Sequence, residues 1–412
     1  MQKTRIFHGW VIVIFGFLSI SMFGVINSYS TFIKSLETYL NTSRTSISGA
    51  YSIELSCYAI FSLMMGWIVD KYGARLALWG AAILMGGGIA LCSTITEVWQ
   101  LYLFFGVFAG IGHSAIFVVP STIVSKWFIK KRGQAMGLTV CGLGFGLFLV
   151  PPVSARIIST YGWRASFLVL GAFAFLVLMI VGAFMKKPEE MGMQALGAGE
   201  EAKLATPPTM REYGLSEILK ARAFWVVYLT AVFCYGAEQM LVVHLVPYCS
   251  SLGIGPAEAA FGLSCLGIGT IIGRIGMGWI SDRIGRIPAL MISVGLQTVT
   301  TFVMLLITNA SLLYPIMLLV GFGYGGWAVL AIVILGDFFG VRNLGKATGV
   351  YFTNGVLGSL VGPLLAGWIF DVTRSYFWAI IFAGATCAIP FILAFTIRQQ
   401  APGVAKPAAA SS

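Results

Sequence analysis

Charge is what this chain has least of. Only 10% of its 412 residues are Asp, Glu, Lys or Arg, against 58% hydrophobic residues. Soluble domains carry about a quarter charged residues, and a mean hydropathy of +0.89 leaves no surface that water would wet. A soluble enzyme, a disordered chain and a nucleic-acid binder are thereby excluded. Catalytic and metal-binding patterns are missing as well. The seven cysteines stand singly in or beside apolar stretches without CxxC spacing, so they read as small packing residues. The three histidines form no HExxH, no metal cluster and no Ser-His-Asp set, and no cofactor site is legible.

What the chain has in abundance is long apolar runs. They fall near 9–33, 45–69, 76–95, 99–125, 134–158 and 163–185, then near 222–249, 257–281, 288–308, 311–336, 346–370 and 376–397. A helical span takes about 20 residues. Only helices and closed barrels satisfy the backbone in lipid, and these runs are too continuous for barrel strands. The expected fold class is an all-α membrane protein with 12 transmembrane helices. The expected organisation is a six-helix bundle over 1–185, a cytoplasmic linker over 186–221, a second six-helix bundle over 222–400 and a disordered tail over 401–412. A short surface helix is expected around 210–220. Lys3 and Arg5 precede the first run, which outlasts the about 7–15 apolar residues of a signal peptide and lacks its cleavage site, so it reads as a span.

The net charge is +11, and its placement explains it. Twenty of the 26 Lys and Arg fall on one side of the spans. Five (Lys34, Arg44, Arg156, Arg164 and Arg374) fall on the other, and Arg274 lies within a span. Cytoplasmic loops collect cations, so both termini are expected in the cytoplasm of a multi-pass cell-membrane protein. The excess charge calls for no nucleic-acid partner.

The two halves repeat. GWIVDKYGARLAL begins at Gly66 and GWISDRIGRIPAL at Gly278, an offset of 212, with seven of thirteen positions identical. GQAMG at 133–137 and GKATG at 345–349 share that offset. These matches lie in polar loops, where apolar composition cannot produce them by chance. They argue for duplication of a six-helix unit, as in transporters built of parallel repeats.

Gly66-x-x-x-Asp70-x-x-Gly73-x-Arg75 resembles the loop motif between the second and third helices of the major facilitator superfamily. Gly278-x-x-x-Asp282-x-x-Gly285-Arg286 is its copy. The glycines would allow tight turns and close helix approach. Asp and Arg would latch the halves together at the cytoplasmic face in one state. SKWFIKKRGQAMG at 125–137, DFFGVRNLGKATG at 337–349, GPLLAG at 362–367 and HLVPY at 244–248 resemble the monocarboxylate porter and oxalate/formate exchanger branch. That resemblance implies a carrier of small carboxylates, with a proton or against another carboxylate.

Ionisable side chains at membrane depth are costly and mark functional sites. Arg274 lies eight residues before Asp282, hence about 12 Å from the helix end. Its planar, permanently charged fork matches a carboxylate; an ion pair or carbonyl clamp within the protein is the competing reading. The resemblance implies a substrate-binding Arg at this position. It also implies a second cation in the eleventh helix of oxalate exchangers, where this chain reads Asn354. Animal monocarboxylate porters carry an Asp and a Lys at positions matching Thr270 and Asn27. A single cation suits one carboxylate better than two.

Glu238 and His244 are the proton-coupling candidates, since carboxyl and imidazole groups can take up and release a proton. His244 precedes Pro247, so its ring could instead tether an opened turn. His113 is a candidate both for the pocket and for the proton, and Glu54 is expected to pair with a neighbouring helix or water. Asn27, Asn354, His113, Tyr29 and Tyr351 complete the expected substrate pocket around Arg274. Phe117, Tyr324 and Phe352 lie in spans that line the cavity in the superfamily. The glycine clusters at 142–146 and 321–326 lie within spans and read as helix-packing surfaces rather than phosphate loops. The function expected is proton-coupled transport of a lactate- or pyruvate-like monocarboxylate by a monomer in lipid. Anion exchange and facilitation of an unrelated solute remain the alternatives.

Overall fold

The computed structural model describes residues 7–129, 131–197, 215–339, 350–351 and 353–397. Lys3, Arg5, residues 198–214 of the linker, the GKATG copy, Phe352 and the tail lie outside them. Eleven helical stretches are long and apolar enough to cross a bilayer. One of these, Arg132–Phe184, would measure roughly 80 Å as a single rod, against a hydrocarbon core of about 30 Å. Gly162 breaks it with φ 85°, ψ 166°, a conformation a side chain disfavours. It is therefore two spans, and the total among the described residues is twelve.

They are α1 (His8–Thr31), α2 (Arg44–Tyr72), α3 (Ala74–Thr94), α4 (Val98–Trp127), α5 (132–161), α6 (163–184), α7 (Arg222–Ser251), α8 (Pro256–Ile284), α9 (Arg286–Leu306), α10 (Ala310–Phe339), α11 (Asn354–Thr373) and α12 (Phe377–Ala394). Of the linker, Leu215–Lys220 forms the short helix expected before α7.

Local chemistry sets several boundaries. The Ser43 hydroxyl accepts from the Ser46 amide and starts α2. Pro256 in the first turn and Glu258 bonded back to the Gly255 amide start α8. Both helices end on a left-handed glycine, Gly73 at φ 85° and Gly285 at φ 92°. These two turns are 212 residues apart, so the backbone repeats where the sequence does.

Two apolar cores result. One gathers α1–α6 and the other α7–α12, with Val243 contributed to the first and Leu147 to the second across the boundary. At the crossing of α5 and α8 the backbones nearly touch. A β-carbon on Gly267 would lie 2.6 Å from the Gly144 carbonyl oxygen, so the 142–146 cluster is indeed a packing surface.

The boundary between the halves is closed at one end. Asp371 of α11 accepts from the backbone amides of Arg44 (3.2 Å) and Thr45 (2.9 Å) and from the Thr45 hydroxyl, satisfying the open first turn of α2. The Arg44 guanidinium pairs with Glu37 at 2.6 Å, donates to the Tyr376 hydroxyl at 3.0 Å and lies 3.9 Å from the centre of the Phe370 ring. One layer deeper, Ser48 meets His244 at 3.2 Å and the Val246 amide donates to Ser30 at 3.1 Å.

The opposite end, which carries the repeated loop motif, is different. Asp70 pairs with Lys126, and Arg286 with Asp282 and Asp337, each within its own half. Arg75 lies over the Trp79 ring. Among the described residues no side-chain hydrogen bond or ion pair joins the halves on that side of the Tyr51–Gln239 contact. A β-carbon on Gly66 or Gly278 would meet nothing within 4 Å. The close approach expected of these two glycines is therefore absent in this arrangement.

Asp371→Ala is expected to loosen the closed end, because three donors lose their acceptor at about 1 kcal/mol each. Thiol labelling of an introduced Ser48→Cys should rise in that background, and an unchanged labelling rate would show that Asp371 does not hold this end.

Candidate functional site

Arg274 sits on α8 with flanking residues that decide its surroundings. Ile272 and Ile275 face outward, while Gly273 is buried against α10. A β-carbon on Gly325 of α10 would lie 3.0 Å from the Arg274 amide, so that glycine lets Tyr324 come alongside. The guanidinium is in electrostatic reach of Glu238 on α7, Tyr324 on α10 and Cys141 on α5. Its neighbours thus come from both halves.

No protein carboxylate lies within the 4.0 Å of an ion pair with Arg274 among the described residues. Its Nε is sealed from solvent and has no hydrogen-bond partner. A buried donor without a partner is expensive. A protein that kept Arg274 only for stability would have paired it.

Glu238 is the nearest acid. It is 4% exposed, and its Oε2 accepts from the Gln239 side chain at 3.3 Å. Gln239 continues a polar row across the boundary. The Tyr51 hydroxyl of α2 lies 2.9 Å from the Gln239 side-chain oxygen and 2.8 Å from that of Asn27 on α1. Having one proton, this hydroxyl donates to one of the two oxygens at a time. The row Asn27–Tyr51–Gln239–Glu238 joins α1, α2 and α7 where α1 tightens into a 3₁₀ turn at Ser28–Thr31.

The other expected pocket residues fall in three settings. Tyr324 is buried in electrostatic reach of Arg274 and of Tyr351, which is itself buried. Asn354 donates to the Tyr351 carbonyl and so braces the start of α11. Tyr29 is 1% exposed, donates to the Ile47 carbonyl at 2.7 Å and lies with its ring centre 4.4 Å from that of Phe105, tilted by 32°, which makes it a packing residue between α1, α2 and α4.

His244 belongs to the closed end. Its Nε2 lies 2.9 Å from the Pro363 carbonyl, which can only accept, so that nitrogen carries a proton. Its Nδ1 lies 3.0 Å from the Tyr376 hydroxyl, which already accepts from Arg44 and therefore donates to the ring. The imidazole is a tether between α7, α11 and α12. His113 faces neither Arg274 nor that tether. It is fully buried on α4, with Nδ1 2.6 Å from Glu54 Oε1 on α2.

The sequence reading missed several members of these groups. Gln239 and Tyr51 are uncharged, so a search for intramembrane charge passes over them. Arg44 and Asp371 read as loop charges. Only the position of Gln239 beside Glu238 was a usable signal.

The Major Facilitator Superfamily profile matches residues 10–354 and again 245–411. Monocarboxylate transporter 12 of Xenopus laevis is 29% identical, over 95% of this chain and 89% of its own length. Human monocarboxylate transporter 12 is 27% identical over 93% and 79%, and monocarboxylate transporter 13 of Bos taurus is 27% identical over 92% and 86%. Among solved structures, a bacterial homolog of the human lysosomal transporter Spinster, inward-facing and occupied, superposes with a TM-score of 0.77 at 12% identity. It covers 96% of this chain and 98% of its own. The fold, the repeat and this full-length similarity agree: the chain is a membrane transporter of the Major Facilitator Superfamily, homologous to the monocarboxylate transporters.

Proposed function

We propose that this protein is a secondary active transporter that carries a small monocarboxylate, lactate- or pyruvate-like, across the cell membrane with a proton by alternating access. The observation that carries this reading is Arg274, a cation at membrane depth without a protein counter-ion, with Glu238 in reach but not bonded. The names of the relatives support the substrate class.

Charge balance supplies the mechanism. Arg274 can neutralise one anion. In the unloaded carrier that anion is Glu238. An incoming carboxylate binds the open guanidinium fork and takes over as its counter-charge, and Glu238 beside it would then be a second, uncompensated charge in a low-dielectric site. Glu238 must take a proton from the side that delivers the substrate, and must return it where the substrate leaves. The loaded and unloaded carriers are then both neutral at this site. Moving a bare anion would cost about 2.3 kcal/mol for each 100 mV of potential, which proton coupling removes. Asn27, Tyr51 and Gln239 position Glu238 from the side facing the first half.

The cation bias places the loop-motif end in the cytoplasm. The closed Arg44 end is then external, and the arrangement described is inward-facing. The opposite state brings the motif loops together. Gly66→Val is expected to leave folding intact, because its β-carbon enters open space here, yet to slow turnover severalfold by obstructing that closure. Normal thermal stability with reduced uptake would fit; an unchanged rate would remove Gly66 from the latch. The reading as a whole is tested by lactate uptake into proteoliposomes with and without an inward proton gradient. Counterflow that ignores pH would favour exchange of anions instead.

A further inference from the structure

Glu54 and His113 form the one acid–base pair among the described residues in which both side chains are wholly buried. Burying such a pair is rarely stabilising compared with apolar residues of similar size. The far atoms make the cost worse, since Glu54 Oε2, His113 Nε2 and the nearby Ser52 hydroxyl all lack hydrogen-bond partners. The backbone is nevertheless built to hold the pair together. Gly110 lets α4 press onto α2 at Glu54, where a β-carbon would lie 2.8 Å from Cys57 Cβ. A π-helical segment, Tyr102–Ala109, resets the register of α4 just before His113, and such segments recur at functional sites. Phe23 and Tyr58 cover the imidazole with ring centres 4.2 and 4.3 Å away.

The titratable groups around the pair are known on every side. Tyr51, Cys57 and Tyr58 of α2 interact electrostatically with Glu54. Across the boundary, Tyr235 and Glu238 of α7 and Tyr324 of α10 act on Tyr51 or Tyr58. Phe23 of α1, against the His113 ring, and Met85 of α3, against the adjoining Gly112, do not titrate. No Lys or Arg forms an ion pair with Glu54 among the described residues. The pair is therefore neutral only when it holds a single proton beyond the one on a neutral imidazole. Without it, a carboxylate lies buried with no cation; with a further one, an imidazolium does.

We propose that Glu54 and His113 are a proton site that licenses closure of the Arg44 end, separate from the proton that travels with the substrate. The reason is the face of α2 on which Glu54 follows. Arg44, Ser48 and Tyr51 make the contacts with α11, α12 and α7, and Glu54 lies three residues beyond Tyr51. When that end opens, this face parts from the second half and water reaches the pair. A hydronium ion in that water gives its proton to the Glu54 carboxylate: one O–H bond of the hydronium breaks, one O–H bond forms at Glu54, water is left, and the hydrogen bond to His113 Nδ1 holds the proton. Closure over the deprotonated pair would seal in a bare negative charge. Because the pair stays sealed while the motif end is open, the proton returns to the side from which it came.

This inference rests on the carrier reading, and one experiment separates the two. Lactate counterflow is measured in proteoliposomes with equal pH on both sides across the range pH 6 to 9, at varied lactate. Deprotonation of Glu238 raises the half-saturating concentration, since it competes for Arg274. Loss of the Glu54–His113 proton lowers the maximal rate, since closure fails. In the natural protein the maximal rate should fall about tenfold per pH unit on its alkaline limb. Glu54→Gln should flatten that limb while the rise in half-saturation persists. The double replacement Glu54→Leu with His113→Met, neutral at any pH, should do the same if Glu54→Gln folds poorly. A maximal rate that keeps its alkaline limb in both variants, or a natural protein without one, overturns the proposal. If lactate is not exchanged at all, it is the carrier reading that fails.

Discussion

Arg274→Gln is expected to reduce lactate uptake at sub-saturating concentration by at least about thirtyfold. Removing one partner of a desolvated charge pair costs about 2–5 kcal/mol, and each 1.4 kcal/mol is about a factor of ten. The loss should appear in binding to purified protein as well as in transport, because the proposed role of the guanidinium is direct contact with the carboxylate. Arg274→Lys retains charge but not the planar two-point contact, and an intermediate loss of about tenfold is expected. Thermal stability should be unaffected or improved, since Arg274 has no partner to lose. Equal uptake by Arg274→Gln and the natural protein would place the substrate elsewhere.

Glu238→Gln should separate transport from its driving force. With Glu238 intact, a difference of one pH unit across the membrane supports about tenfold accumulation, since it supplies 1.4 kcal/mol. Uptake rises as the outside becomes more acid, because protonation of Glu238 must accompany binding of the anion. The Gln side chain is neutral at every pH and mimics the loaded state. Accumulation should collapse to equality across the membrane. Lactate counterflow should continue, since the loaded carrier still crosses. Gradient-driven accumulation that survives in Glu238→Gln would move the coupling proton to another group.

These expectations rest on residues of unequal visibility in the sequence. Arg274 and Glu238 stand out because a charge inside a long apolar run is conspicuous. The twelve spans are visible for the same reason, and the runs near 134–158 and 163–185 part where Gly162 breaks the helix. The 212-residue repeat survives in its loops because left-handed turns demand Gly73 and Gly285. What was hidden depends on which helix face meets which neighbour. Glu54 and His113 are 59 residues apart on different helices, and each alone looks like an isolated polar residue. Arg44 and Asp371 are 327 residues apart and count as loop charges until the halves are brought together. Gly66 and Gly278 are the converse case: the sequence motif suggests close helix approach, and in the arrangement described both face open space.

The structure also divides the histidines by task. His244 is held by a carbonyl, a hydroxyl and the Arg44 network at one end. His113 is held by a carboxyl group in the middle of the first half. Neither has an interaction with Arg274 of the kind that Glu238 has, which is why the proposed coupling is assigned to Glu238.

The central claim is that a carboxylate replaces Glu238 on Arg274 and Glu238 takes up a proton. Proton uptake on addition of lactate to purified protein in weakly buffered solution measures this directly. At a pH where Glu238 is ionised, the account predicts an alkaline shift that saturates with binding, a proton for each carboxylate bound, and that disappears in Glu238→Gln. Lactate binding without proton uptake at any pH between 6 and 9 would contradict it.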